Sequence, residues 1–204
     1  MNIFAENYLQ MEAYKTYVQQ LYFDGSEYHK GSVVELLSTF NIVCQEFPFK
    51  RNPKPKSLPT RDWAGADGLD VYVPDVIPMK SYDIDVTFLY VRSNQSNETI
   101  ASRDSAMRTD IANFIDFLYG RRKGNSSDTY QSGRLAIYNE YVGMGRKDVV
   151  VSEVDNEIYY VSDCDPDAVA KFKVKFTVYD PTTEVEPTTT TSGNVTSVTN
   201  LSFS

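Results

Sequence analysis

Histidine, tryptophan and cysteine are nearly missing from this chain: its 204 residues hold one His, one Trp and two Cys. Catalysis of the Ser-His-Asp or Cys-His kind would have to run through His29 alone. No motif surrounds that residue, and an exposed loop histidine is the expectation. Cys44 and Cys164 lie far apart in dissimilar surroundings, which reads as two partly buried thiols rather than a disulfide framework. Together with His29 they have no metal-ligand spacing. A phosphate-binding glycine loop and a dinucleotide fingerprint are also absent. Positive charge is short as well: 20 Lys and Arg stand against 28 Asp and Glu, a net charge of −8. A protein that grips a phosphate backbone needs a cationic surface. No window reaches the apolar length of a membrane span, and no basic start followed by an apolar run opens the chain. The expectation is a soluble protein outside the usual export route, with no membrane contact. Taken together, these absences predict a protein that is not an enzyme and uses no cofactor or metal.

Acidic spacing does not change that reading. Asp163, Asp165 and Asp167 alternate like the start of a calcium loop, but Pro166 takes a turn-permissive position and the downstream Gly and Glu of that motif are missing. A strand-connecting loop is the expectation. Five N-x-S/T triplets, at Asn94, Asn97, Asn125, Asn194 and Asn200, read as polar loop composition.

What the chain has in quantity is aromatic residues. Its 15 Tyr and 11 Phe bring the aromatic share to 13%, a β-rich and interface-rich composition. The length suits one core with appendages. At the start, Phe4, Tyr8, Met11, Tyr14 and Val18 recur at helical spacing, predicting a helix or arm over residues 1–18. It would either cover one end of the protein's own core or reach a neighbouring subunit, and the sequence does not separate the two. Tyr22-Phe23 and Asp24-Gly25 read as a strand end and a turn, and residues 32–49 as a strand of mixed burial. Composition then shifts abruptly at KRNPKPKSLPTR (50–61), where three prolines and five basic residues predict an exposed, extended loop. Against the acidic whole, a solvated loop or a charge contact with an acidic neighbouring subunit is favoured over nucleic-acid binding.

Next come the only Trp, Trp63, and the Asp67-Gly68 turn, after which Pro74 and Pro78 hold the chain extended. From Tyr82 the residues alternate without error, apolar at 82, 84, 86, 88 and 90, which predicts a strand with one buried face. Met107, Ile111, Phe114, Ile115 and Leu118 mark one helix face, and Gly120 stands where a left-handed cap belongs. RLAIYNEYV, a Gly143-Met144-Gly145 turn, KDVVVSEV and EIYYV follow as short antiparallel strands. The closing strand puts Phe172, Val174, Phe176 and Val178 on one face and Lys171, Lys173 and Lys175 on the other. Asp83 and Asp85 match Lys173 and Lys175 in charge, so the two strands are predicted to be neighbours in one sheet. After Pro181 the chain is Thr- and Ser-rich, too poor in large apolar residues to drive its own folding, so residues 182–204 are predicted to be an extended tail. Its Val195, Val198, Leu201 and Phe203 could add a strand to a partner or occupy a partner's groove.

In the order of these features, YFDG, FPFK, the Pro/Lys-rich loop, DWAGADGLDVYVP, YDIDVTFLYV, RTDIANFIDFLYG and FKVKFTVYDP, the chain resembles the N-terminal domain of the distal tail proteins of long-tailed bacteriophages, over about four fifths of its length. The resemblance implies a mainly β fold with one packed α-helix (α+β), a β-sandwich or split barrel over residues 19–181. It implies a hexameric ring joining the tail tube to the baseplate or adsorption apparatus in the virion, with DNA passing through the channel without being specifically bound. Trp63, Asp67 and Gly68 become fold-defining or ring-contact residues. Many distal tail proteins carry a second, carbohydrate-module-like domain, which this chain replaces with its Thr-rich tail, so a hub ring rather than a host-binding protein is expected. A tail-terminator or tail-tube subunit of the same fold is the alternative. A glycan-binding β-sandwich is the alternative from another class.

Overall fold

The error-free alternation at Tyr82 builds the middle of the molecule. In a computed structural model, which describes residues 15–64, 67–92, 99–155, 159–160, 170–192 and 195–204, the elements run β1 (Thr16–Phe23), β2 (Tyr28–Glu35), α1 (Leu36–Phe40), β3 (Ile42–Glu46), β4 (Thr60–Arg61), β5 (Asp70–Val71), β6 (Tyr82–Tyr90), α2 (Ile100–Leu118), β7 (Arg134–Asn139), β8 (Met144–Val154), β9 (Tyr159–Tyr160), β10 (Ala170–Val178), β11 (Val185–Ser192) and β12 (Val195–Phe203). The fold is mainly β. One antiparallel sheet has the order β2-β1-β7-β8-β10-β6-β3, with β9 added beside β10, and β4-β5 and β11-β12 form two separate pairs.

The sheet's two outermost strands, β2 and β3, are consecutive in sequence and joined by α1 and Asn41 alone. Laid flat, seven strands would hold those edges about 29 Å apart. A five-residue helix advances the chain only about 8 Å. The sheet therefore curls until its edges approach, and α2 lies against the inner face. Phe88 meets Phe114, Phe172 and Phe176, with ring centroids 5.1, 5.7 and 6.4 Å apart, and Phe40 of α1 meets Phe114 and Phe117 at 5.6 Å each. Offset and edge-to-face pairs of this kind add to the burial of the rings.

Polar groups inside are placed to satisfy helix ends. Thr99 caps α2 by accepting from the Ser102 amide (3.2 Å), and Gly120 beyond its other end adopts φ +71°. Buried Gln20 of β1 donates from Nε2 to the carbonyls of Phe117 (2.7 Å), in the last turn of α2, and of Arg122 (2.8 Å), in the segment that follows it. The Tyr90 hydroxyl and Asn41 amide both donate to Asp110 Oδ2 (2.8 and 3.1 Å), tying β6, the end of α1 and α2 together. Burial and that carboxylate push the Tyr90 hydroxyl pKa up.

The structure departs from the sequence reading in four places. Residues 32–49 are not one strand, because Leu36–Phe40 turns into helix, buries Leu36 and Phe40 at i,i+4 spacing and ends at Asn41 with φ 57°. Residues 16–18, read as helix, open β1. Residues 1–14 lie outside the described residues, as do Cys164 and the Asp163, Asp165, Asp167 loop. The turn after β7 falls at Glu140–Gly143, so Met144 and Gly145 already belong to β8. Finally, the packed part does not end at Pro181. β11 and β12 form an antiparallel hairpin that lies on the outer face of β1 and β7, where Val185 and Leu201 are buried with Tyr17, Leu21 and Ala136.

The hairpin fits closely. A Cβ on Gly145 would stand 2.6 Å from the Ile137 carbonyl and 2.9 Å from Val185, so only glycine lets β11 approach β8 there. Beside it, Arg146 is buried, with its guanidinium donating long bonds to the carbonyls of Gly145 (3.4 Å), Thr183 (3.5 Å) and Lys50 (3.4 Å), and with Glu184 at 3.6 Å. Truncating Leu201 to Ala is expected to cost roughly 2–5 kcal/mol, whereas Thr190→Ala at the exposed hairpin tip should change stability by no more than about 0.5 kcal/mol. Urea unfolding of both variants checks this, and equal effects would show that the hairpin does not belong to the cooperative core.

Candidate functional site

Among the described residues, the longest run without a buried side chain is the excursion between β3 and β6. It is an arm made of two antiparallel runs. Lys80 N–H donates to the Lys54 carbonyl (2.8 Å), Lys56 N–H to Pro78 (2.7 Å) and Tyr72 N–H to Pro59 (3.1 Å). Pro55 bridges Met79, and Thr60 and Arg61 pair with Val71 and Asp70. At the tip Gly68 takes φ +86°, a conformation open to glycine. The base is rooted in the body, since Phe47, Phe49 and Tyr82 are buried and the Lys50 amide donates to the Tyr82 hydroxyl (3.2 Å).

Beyond Phe49 the burial stops. Among the described residues from Lys50 to Lys80, none is buried. Yet Trp63, Leu69, Val71, Tyr72, Val73, Val76 and Ile77 are all large and apolar, and their exposure runs from 40% at Val71 to 82% at Val76. Scattered apolar residues on a surface are ordinary; seven on one exposed element form a concentrated apolar surface. Arg61 stacks on Trp63 with its guanidinium carbon 3.7 Å from the ring centroid, which shields one face of the indole and holds it in place. The arm's first run also carries charge. Residues 50–61 hold five positive charges and no negative one, which leaves −13 on the rest of a chain whose total is −8.

The strands carrying Asp83, Asp85, Lys173 and Lys175 lie side by side. Lys175 faces Asp85 directly across β10 and β6, while Asp83 faces Thr177, whose hydroxyl donates to it (2.7 Å), and Lys173 faces Thr87. One charge pair, Lys175 with Asp85, is thus formed face to face, while Asp83 and Lys173 each face a threonine, because matching both pairs would need a register shifted by two residues. With Glu153, Val154 and Asp155 of the adjacent β8 segment, Asp85, Lys173 and Lys175 line a shallow depression of about 320 Å³. Its lining mixes both signs.

The tail residues fall on the protein itself. Leu201 is buried, Val198 and Phe203 are half-buried against the same small core, and Val195 pairs with Ser192 at the start of β12. Lys30 fastens the strand by donating to the Leu201 carbonyl (2.6 Å) and standing 3.9 Å over the Phe203 ring, and burial lowers its pKa. The sequence had no signal for this docking beyond the spacing of Val185, Leu201 and Phe203. Among the described residues no helix is long and apolar enough to cross a membrane. The chain matches no protein-family model, and no curated protein and no solved structure is significantly similar to it.

The turn that leads into the hairpin titrates. Burial pushes the Asp180 carboxyl up, but the Thr183 amide and hydroxyl, the Thr182 amide and Lys147 outweigh it and hold the group at about 2, below its ordinary 3.8. A carboxylate depressed on folding stabilises the native state above its unfolded pKa and loses that contribution as pH falls through the folded one. Stability is therefore expected to decline between about pH 4 and pH 2 in the wild type, with a shallower decline in Asp180→Asn, as read from urea midpoints across that window.

Proposed function

We propose that this protein is a structural virion component, a homo-oligomeric ring of six copies at the distal end of a phage tail. The ring joins the tail tube to the baseplate or adsorption apparatus around the DNA channel and performs no catalysis. In this reading the curled sheet with α2 inside its curve is a split barrel, the fold expected from the resemblance of the sequence to distal tail proteins. The protein assembles in the host cytoplasm and resides in the virion tail.

The observation that carries the reading is the arm. It presents apolar side chains and a basic first run, its residues 50–80 netting +2 once Asp62, Asp67, Asp70 and Asp75 of the second run are counted, while the remainder of the chain nets −10. An arm that docks on a different surface of the next copy makes a heterologous contact, and such contacts close into rings when the rotation between copies divides the circle. Opposite charge on arm and body guides that contact and fixes its register. An acidic balance also suits a channel through which DNA slides without adhering.

Light scattering after size exclusion, with electron micrographs of the purified protein, is expected to show six copies in a ring. Reversing Arg51, Lys54 and Lys56 to Glu should yield monomers, and so should the separate change Val76→Asp. Both variants should keep the wild-type melting temperature, because none of these residues is buried. A wild type that stays monomeric at high concentration sinks the proposal. Labelling along the whole tube, rather than at its distal end, would instead assign the protein to the tube.

A further inference from the structure

Outside the arm and the hairpin, two side chains of the β1–β2 turn meet His29, which is not the exposed loop histidine expected but a half-buried residue of β2 paired with Tyr22. Asp24, Glu27 and His29 each offer one ligand atom, and these atoms lie within 4.8 Å of one another. His29 Nε2 is 2.8 Å from Asp24 Oδ2 and 3.9 Å from Glu27 Oε1. We propose that this turn is a binding site for a borderline divalent transition-metal ion of the zinc class, held by His29 Nε2 and the carboxylates of Asp24 and Glu27.

The turn is built so that the ligands converge. Asp24 uses Oδ1 for the turn itself, accepting from the Ser26 amide (2.9 Å), the Ser26 hydroxyl (2.8 Å) and the Glu27 amide (3.0 Å). Those bonds fix the carboxylate plane and leave Oδ2 facing the imidazole. Gly25, at φ +104°, supplies the reversal, and the space around it is open. The imidazole is positioned too. Its ring centroid is 4.9 Å from that of Tyr130 and 6.2 Å from that of Tyr22, and the two tyrosines stack on each other at 4.8 Å with an angle of 2° between planes. Across the turn, Tyr22 pairs with His29, so strand register sets the height of the ring.

The donor set selects the ion. One imidazole nitrogen with two carboxylate oxygens suits zinc and its neighbours, with bonds of about 2.0–2.1 Å, whereas calcium and magnesium call for shells made of oxygen. Bonds of that length from one centre need ligand atoms about 3.2–3.5 Å apart. The His29 and Asp24 atoms open slightly from their hydrogen bond, and the Glu27 side chain, which is mostly exposed, closes in. Coordination through Nε2 places the ring proton on Nδ1. The outer side faces solvent, leaving room for water or for a donor from another molecule to complete the shell.

Because His29 is the only histidine, its imidazole protons report the site without assignment ambiguity. Titration of the full chain with ZnCl₂, followed by calorimetry and by the proton NMR signals of that ring, is expected to show saturable one-to-one binding with the imidazole resonances shifting in step. His29→Gln and Asp24→Asn should each weaken binding by at least about tenfold, while Tyr141→Phe, exposed and outside the turn, should leave it unchanged. MgCl₂ should not displace the ion. The proposal is overturned if wild-type protein shows no saturable binding at millimolar ZnCl₂, or if the ring signals stay fixed while zinc binds. It is equally overturned if His29→Gln binds as tightly as the wild type. This outcome is independent of the oligomeric state.

Discussion

The short link between β2 and β3 is the constraint on which the rest depends. One turn of helix and a single left-handed asparagine connect the two edges of a seven-strand path, and no flat sheet can meet that condition. Curling the sheet creates an inside, and the inside needs filling by something about the width of a helix. α2 fills it with Met107, Ile111, Phe114 and Phe117. The aromatic rings of β6 and β10 then face those of α2 because the sheet has brought them round. Interlocking of this kind makes the core sensitive to shape as well as to hydrophobicity.

Curling also gives the sheet an outside, and the protein treats different parts of it differently. Over the first half of β6, the middle of β10 and the far end of β8 it is open to solvent, where Asp83, Asp85, Lys173 and Glu153 stand exposed, while Thr87 and Leu89 of β6 and Met144 to Arg146 of β8 are buried. Over β1 and β7 it is covered by the β11-β12 hairpin, so β1 is buried on both faces from Thr16 to Leu21. The arm leaves the body where β3 ends.

How much of this was legible in the sequence followed from burial on one face or two. β10 and the first half of β6 were readable because one face is packed and the other faces solvent, which preserves a period of two, although β6 is buried on both faces from Val86 to Tyr90 rather than on the single face expected; α2 was readable for the corresponding helical reason. β1 was not, because two covered faces erase the alternation and its Gln19 and Gln20 are buried polar residues whose Nε2 groups donate to carbonyls distant in sequence. α1 is too short for periodicity to register. The C-terminal hairpin was hidden by composition: a threonine-rich run reads as unstructured, although threonine is a strand former and two well-placed anchors, Val185 and Leu201, are enough to dock it. The arm announced itself through proline and charge, but its Val71, Tyr72 and Val73 look like a buried strand until the structure shows them projecting. The cluster at His29 depends on cross-strand pairing of Tyr22 with His29, which no linear spacing reveals.

Arg146 links the two elements that leave the body. Its guanidinium touches the carbonyl of Lys50, where the arm starts, and that of Thr183, where the hairpin starts, from a buried position on β8. Mechanically, arm and hairpin are two levers on one pivot. A load applied to the arm passes into β8 and is shared with the hairpin root, so the hairpin, which is held to the main sheet elsewhere by its small core and by the bonds of Lys30 and Gln19 to Leu201, also serves as the counterweight that keeps the arm's base from peeling away.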